Sequence, residues 1–159
     1  MEYSLILLKP DAVKQDLCFY VLYRIVHGIE KGRIRASRIF RFTPETVRNH
    51  YPHITELPVF PKIEQFMLSS EVWAAVVEGN EGSIQTIRDM IGATNPKEAK
   101  EGTIRAQFGK FVDGMMHNLV HSSESQEVAW EEIARIFPRE EIRNAVPEIE
   151  DKVFPKSEQ

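Results

Sequence analysis

A single cysteine in 159 residues, Cys18, leaves no intrachain disulfide to form and suits a reducing compartment. Neither sign of charge dominates. Against 20 Lys and Arg stand 24 Asp and Glu, a net charge of −4. There is thus no overall basic surface, and nucleic acid is not expected as a partner, although a local basic pocket stays open. No apolar run approaches transmembrane length, so no membrane contact is expected. The apolar run near the start, SLILL, is too short for a signal-peptide core and no basic stretch precedes it. A cytoplasmic protein is expected. Gly-x-Gly-x-x-Gly and Walker patterns are absent, which argues against a P-loop enzyme. There is also no internal repeat, no domain linker and no carboxylate cluster of the kind that cages a metal ion.

What is present is ordinary for a globular chain: 42% hydrophobic and 28% charged residues, enough for one sizeable core. Residues 1–137 carry the alternating elements of one domain. Residues 138–159, charged and holding Pro147 and Pro155, read as a C-terminal extension of it, helical in part at Glu140 to Ala145.

Tyr3 to Leu8 is nearly all apolar and stops at Lys9-Pro10, the pattern of a central strand covered on both faces. Lys9 then sits at a strand C-terminus, where α/β sheets often meet ligands; a solvated lysine is the plain alternative. Cys18 to Lys31 has helical spacing at Cys18, Leu22, Ile25 and Ile29, with Asp16 near its start and Gly32 suited to its stop. Ile34, Ala36, Phe40 and Phe42 alternate as in a strand and put Arg33, Arg35 and Arg41 on the other face, as an anion site or, more simply, a solvated one.

Thr43-Pro44 opens a short helix, and a proline-punctuated loop follows. On it stands Phe60, either core or a plate on which a base could stack. Val72 to Val77 is a second all-apolar strand, and Ser83 to Ile91 a helix with Arg88 beside its apolar stripe. A turn-rich loop from Gly92 carries Thr94 and Arg105. Met115 to His121 contains the last strand, and Ser123 to Ser125 cap a final helix. On that helix Glu132 falls at the edge of the apolar stripe, costly unless it meets a donor such as His121. The order strand, helix, strand, helices, strand, helix, loop, strand, helix is βαββαβ: a ferredoxin-like sandwich with a four-stranded antiparallel sheet.

Singly, each of these residues has a bland reading. Together they do not. Lys9, Arg88 and Arg105 supply positive charge, and Thr94 and Asn118 neutral donors. Arginine bonds phosphate oxygens through a planar fork that keeps its charge, and histidine is a nucleophile that is mostly neutral at pH 7. Phosphoryl transfer is mainly positioning and electrostatic stabilisation, and a histidine nucleophile divides one transfer into two.

The residues that carry this chemistry resemble those of the nucleoside diphosphate kinase family. The motifs are KPDAV at Lys9 to Val13, HY at His50-Tyr51, Glu78-Gly79 ahead of Arg88, GATNP from Gly92, GTIR ending at Arg105, and NLVHSSES from Asn118 with Glu132 following. The resemblance runs from Tyr3 to Phe137. It implies that His121 takes a phosphoryl group from a nucleoside triphosphate such as ATP and passes it to a diphosphate such as GDP. It implies too that Lys9 contacts sugar and phosphate, that Tyr51 lies near His121, and that Phe60 stacks on the base. Arg88, Thr94 and Arg105 would hold phosphates, Asn118 the ribose, and Ser123 and Glu132 would orient His121. Mg²⁺ would arrive with the nucleotide, and a homo-oligomer, hexamer or tetramer, is implied. The chain departs from the family pattern at Ser122, usually glycine, at Glu124, usually aspartate, and in a segment from Gly109 to His117 that is about three residues longer. A glycine conformation at position 122 would leave Ser122 strained.

Overall fold

A computed structural model describes residues 1–155. The expected extension therefore lies within it except for 156–159, which are outside the described residues. Strand β1 (Glu2–Leu8) runs into α1 (Pro10–Lys14) and α2 (Cys18–Gly28), then β2 (Arg33–Phe40), α3 (Pro44–His50) and α4 (Phe60–Leu68). After β3 (Val72–Gly79) come α5 (Ser83–Ile91), α6 (Ile104–Phe108), β4 (Lys110–Val112), β5 (Met115–His117) and β6 (Val120–Ser122). Helices α7 (Gln126–Ile136), α8 (Arg139–Ala145) and α9 (Glu150–Val153) complete the described chain.

The four-stranded sheet has the order β2-β3-β1-β6 with every neighbour antiparallel, the ferredoxin-like arrangement. Its central strands divide two cores by the period-2 rule. Tyr3, Leu5 and Leu7 of β1 pack with Val72, Ala74 and Val76 of β3 on one face. Ile6 and Leu8 pack with Ala75 and Val77 on the other. That explains the unbroken apolar runs, since both faces are covered. The α2 and α5 helices cover the second face through Val21, Leu22, Ile25, Ile87 and Ile91. The first is covered by α3, α4 and α7 and by the segment after residue 138, whose Ile142, Val146, Ile149 and Val153 are all buried.

Several local expectations are corrected. Pro10 does more than end a strand: it sits in the first turn of α1, where its missing N–H costs nothing. The α2 helix stops at Gly28, short of Lys31, and Asp16 does not cap it, having a left-handed φ of 55° instead. Arg35 is not free for an anion, because it pairs with Glu78 and Glu148. The cap at Thr43 is present as a reciprocal capping box with Thr46.

The last strand starts within Met115 to His121, the stretch expected to contain it, but takes up only its end. Met115–His117 pairs with Lys110–Val112 in a separate hairpin. Val120–Ser122 joins β1 in the main sheet. Between them Leu119 adopts φ 62°, and the Val120 amide bonds the Asn118 carbonyl at 2.7 Å. A bond spanning one residue of positive φ is the strained form of the γ-turn. Left-handed backbone costs a non-glycine residue about 1–2 kcal/mol.

Candidate active site

The end of β1, the γ-turn and β6 meet the N-terminal part of the Gly92 loop around a cleft of about 690 Å³. Lys9, Tyr51, Arg88, Thr94, Arg105, Asn118, His121 and Glu132 all line it. Eight of the ten residues expected from the sequence are thus brought together from six segments of chain. Ser123 stands directly behind, fully buried, and reaches the site through Glu132.

The imidazole of His121 is held from one side. Its Nε2 lies 2.7 Å from Glu132 Oε1, and Ser123 Oγ donates to Glu132 Oε2 at 2.7 Å. Ser123 is fixed in turn by the Leu5 amide, which donates to its oxygen at 2.9 Å. Burial pushes the Glu132 carboxyl up, but the bonds and charge it meets at His121, the Ser123 hydroxyl and His50 outweigh this, and its pKa is lowered. An ionised carboxylate only accepts, so the shared proton belongs to Nε2. That leaves Nδ1 with its lone pair, and among the described residues it has no hydrogen-bond partner. Glu132 is buried because its charge is fully spent on two donors, which resolves the cost noted above.

The cations crowd one another. Burial and the neighbouring Arg105 lower Lys9 to about 8. Burial and Arg88 lower Arg105 to about 10. Lys9 Nζ donates to Asn118 Oδ1 at 2.7 Å, and Asn118 Nδ2 donates to the Thr94 carbonyl at 2.9 Å. Arg105 spends three donors on backbone carbonyls, those of Asn118, Gly92 and Val120, at 3.3, 2.9 and 2.6 Å. Two of its five N–H groups remain. Arg88, exposed near the end of α5, also lines the cleft and adds its charge beside Arg105. Positive groups that depress one another in a common cleft bind an anion favourably, because the anion relieves their repulsion.

One expected residue is elsewhere. Phe60 is 5% exposed, opens α4 beside Pro61, and belongs to the core with Phe42, Val47 and Met67. It does not line the cleft, so it offers no stacking face for a base in this structure. Conversely, His50 had been noted only as part of a motif. It is buried, lines the cleft, and stands edge-on to His121 with ring centroids 5.4 Å apart. Burial, followed by the charge of His121, lowers its pKa to about 3, so the ring is neutral. The signal was a histidine at the end of a short amphipathic helix, too common to stand out. Ser122 lies in β6 with no left-handed φ, so a glycine conformation is not required there.

Taking up an anion and presenting it to a bare ring nitrogen is the work of a phosphotransferase. The family model described as nucleoside diphosphate kinase matches residues 2–142. A nucleoside diphosphate kinase of Campylobacter jejuni is 42% identical over 143 residues, 89% of this chain and 99% of its own length. One from Thermus thermophilus is 38% identical over the same shares. Among solved structures, the Aquifex aeolicus nucleoside diphosphate kinase superposes with a TM-score of 0.77 at 38% identity, covering 88% of this chain and 97% of that one. The Encephalitozoon cuniculi enzyme gives 0.74 at 31%, covering 86% and 89%. The chain belongs to the nucleoside diphosphate kinase family.

Proposed function

We propose that this chain transfers the γ-phosphoryl group of a nucleoside triphosphate to a nucleoside diphosphate, in two steps through His121. The observation that carries the reading is the His121–Glu132–Ser123 relay, which leaves Nδ1 as the unprotonated nitrogen of a ring that lines the cation-bearing cleft. In the first step the Nδ1 lone pair forms a bond to the γ-phosphorus as the bond to the β,γ-bridging oxygen breaks. The diphosphate leaves with that bridging oxygen. Glu132 stabilises the positive charge that develops on the ring. In the second step a terminal phosphate oxygen of the acceptor diphosphate displaces Nδ1 and regenerates the neutral imidazole. Lys9, Arg88, Thr94 and Arg105 hold the phosphates, Asn118 and Lys9 the ribose hydroxyls, and the Tyr51 hydroxyl lies beside the phosphorylated ring. Burial raises the Tyr51 pKa, so that hydroxyl stays a donor.

Mg²⁺ is expected to arrive on the nucleotide. Among the described residues no three metal-ligating side chains cluster. Glu132 is already committed, and Glu124 is the carboxylate left on the cleft rim. That donor set fits a cation held mainly by phosphate oxygens, to which Glu124 would be the side chain contributing. When bound, the ion neutralises charge on the phosphate oxygens. The alternative is a nucleotide-binding relative with little turnover, which the departures at Ser122 and in the longer 109–117 segment would favour; two observations weigh against it. Ser122 is unstrained, and the β4–β5 hairpin supplies no lining residue.

We infer further that the chain is cytoplasmic and assembles into a homo-oligomer, hexamer or tetramer as the family suggests. Among the described residues no helix is long and apolar enough to cross a membrane. Phe19 is 76% exposed and Ile39 60%. The Phe19 ring packs at 5.0 Å on Trp73, which pairs with Ile39 on edge strand β2, so the apolar surface is continuous. Phe19→Asp is expected to reduce the assembly seen by light scattering; an unchanged mass would place the contact elsewhere.

The test of the reaction is His121→Ala. Transfer from ATP to GDP should vanish while circular dichroism shows the fold intact. Retained transfer would sink the mechanism.

A further inference from the structure

We propose that Asp11 is a positioning residue for the transfer, holding the γ-turn at Leu119 that puts Asn118 and His121 into one cleft. The inference rests on His121 being the nucleophile.

Asn118 and His121 are three residues apart. In a continuous strand an odd separation sends side chains to opposite faces. Here both line the cleft, while Leu119 and Val120 between them are fully buried. The γ-turn makes that possible by reversing the parity of the chain at residue 119. The position has two conflicting needs. Its backbone is left-handed, which favours glycine, yet its side chain fills the core with Leu8, Ile87 and Ile91, which favours leucine. Something outside the turn must hold it.

The backbone bonds at Leu119 show what does. Its carbonyl accepts from the Lys9 amide at 2.8 Å. Its amide donates to Asp11 Oδ2 at 2.9 Å. Lys9 and Asp11 lie on either side of Pro10, so the stiff start of α1 grips the strained residue by both its amide and its carbonyl. Asp11 is 4% exposed and does not line the cleft. Its second oxygen, Oδ1, is buried without a partner. A half-satisfied buried carboxylate is a poor choice for stability alone. The residue does one thing a neutral apolar side chain could not, which is to accept the Leu119 amide.

Asp11 also lies near Lys9, Arg105 and Tyr51, so a purely electrostatic role needs separating from the hydrogen bond. Asn supplies an accepting oxygen without the charge. Phosphoenzyme formation is followed by mixing each variant with Mg²⁺ and labelled ATP. Asp11→Asn is expected within about threefold of the parent rate, since the acceptor is kept, and Asp11→Ala at least about tenfold slower, since the amide loses its partner. The same pair is then made in a Leu119→Gly background. Glycine takes the left-handed turn unaided, so removing Asp11 there should change the rate by no more than about threefold beyond the Leu119→Gly effect. A structural defect unrelated to the turn would slow both backgrounds equally, and that result overturns the proposal, as does a tenfold loss in Asp11→Asn. If Asp11→Ala or the glycine variants do not fold, hydrogen exchange at the Leu119 amide of the parent protein decides. Protection is expected, and exchange at the rate of an open loop overturns the proposal. If the parent forms no phosphoenzyme at all, the reading of His121 has failed rather than that of Asp11.

Discussion

The carboxylate of Glu132 decides which nitrogen of His121 keeps its lone pair. Its two oxygens are both used, one by Nε2 and one by Ser123. Glu132→Gln should therefore keep the packing but weaken the hold on Nε2–H, slowing transfer by about tenfold or more. Steady-state kinetics with the diphosphate saturating would show whether the loss is in kcat, as expected, or in KM. If Lys9 holds phosphate as proposed, it is expected to set the alkaline limit of transfer. Burial and Arg105 bring its folded-state pKa down from 10.5 to about 8. Between those values the unfolded chain binds the proton and the folded chain does not, so this group makes stability rise with pH from about 8 to 10.5. Activity is expected to move the other way, because the charge proposed to hold phosphate is lost. Transfer should decline above pH 8 or so, and Lys9→Met should be slow and lack that alkaline limb; an identical limb in the variant would assign it to another group.

Short elements with definite caps carry the site, and their backbone geometry is where single changes act most strongly. Gly92 ends α5 at φ 90°, its carbonyl accepts from Arg105, and an added Cβ would lie 2.5 Å from Thr103 Oγ1. Thr103 is the N-cap of α6, which carries Arg105. Gly92→Ala should thus strain the backbone and push α6 away, lowering nucleotide affinity more than fold stability; calorimetric titration with ADP beside thermal unfolding would measure both. At this scale the sequence is only partly readable. Alternation locates β1 and β3, because both faces are buried, and Thr43-Pro44 marks α3. Alternation cannot reveal a γ-turn at a leucine, so the point within Met115 to His121 where β6 begins was not legible. The β4–β5 hairpin did carry a signal. Asp113-Gly114, with φ 50° and 78°, is the dipeptide a two-residue hairpin turn prefers, set between Phe111-Val112 and Met115-Met116. Phe60 was undecidable locally, since an aromatic between prolines serves core and ligand alike, and only the packing of α4 puts it inside.

At the scale of the whole molecule, one sheet with two covered faces leaves the cleft at the end of its central strand. The segment after residue 138 belongs to that body. Ile142, Val146, Ile149 and Val153 together bury enough to matter, each contributing about 1.5–3 kcal/mol. Their sum is comparable with the stability margin of an entire domain. A chain ending at Phe137 should fail to fold cooperatively, and a sharp thermal transition in that truncation would contradict the packing. Eight of the residues that line the cleft were legible because phosphate chemistry restricts residue types. Asp11 and His50 were not singled out because their burial and their contacts depend on how the chain packs, which spacing does not encode.

The most direct test is to mix the protein with Mg²⁺ and γ-labelled ATP, remove nucleotide, and ask whether label stays on the chain. The account predicts acid-labile, base-stable label that is absent in His121→Ala and passes to added GDP. ATP binding without label, or label that persists in His121→Ala, would contradict it.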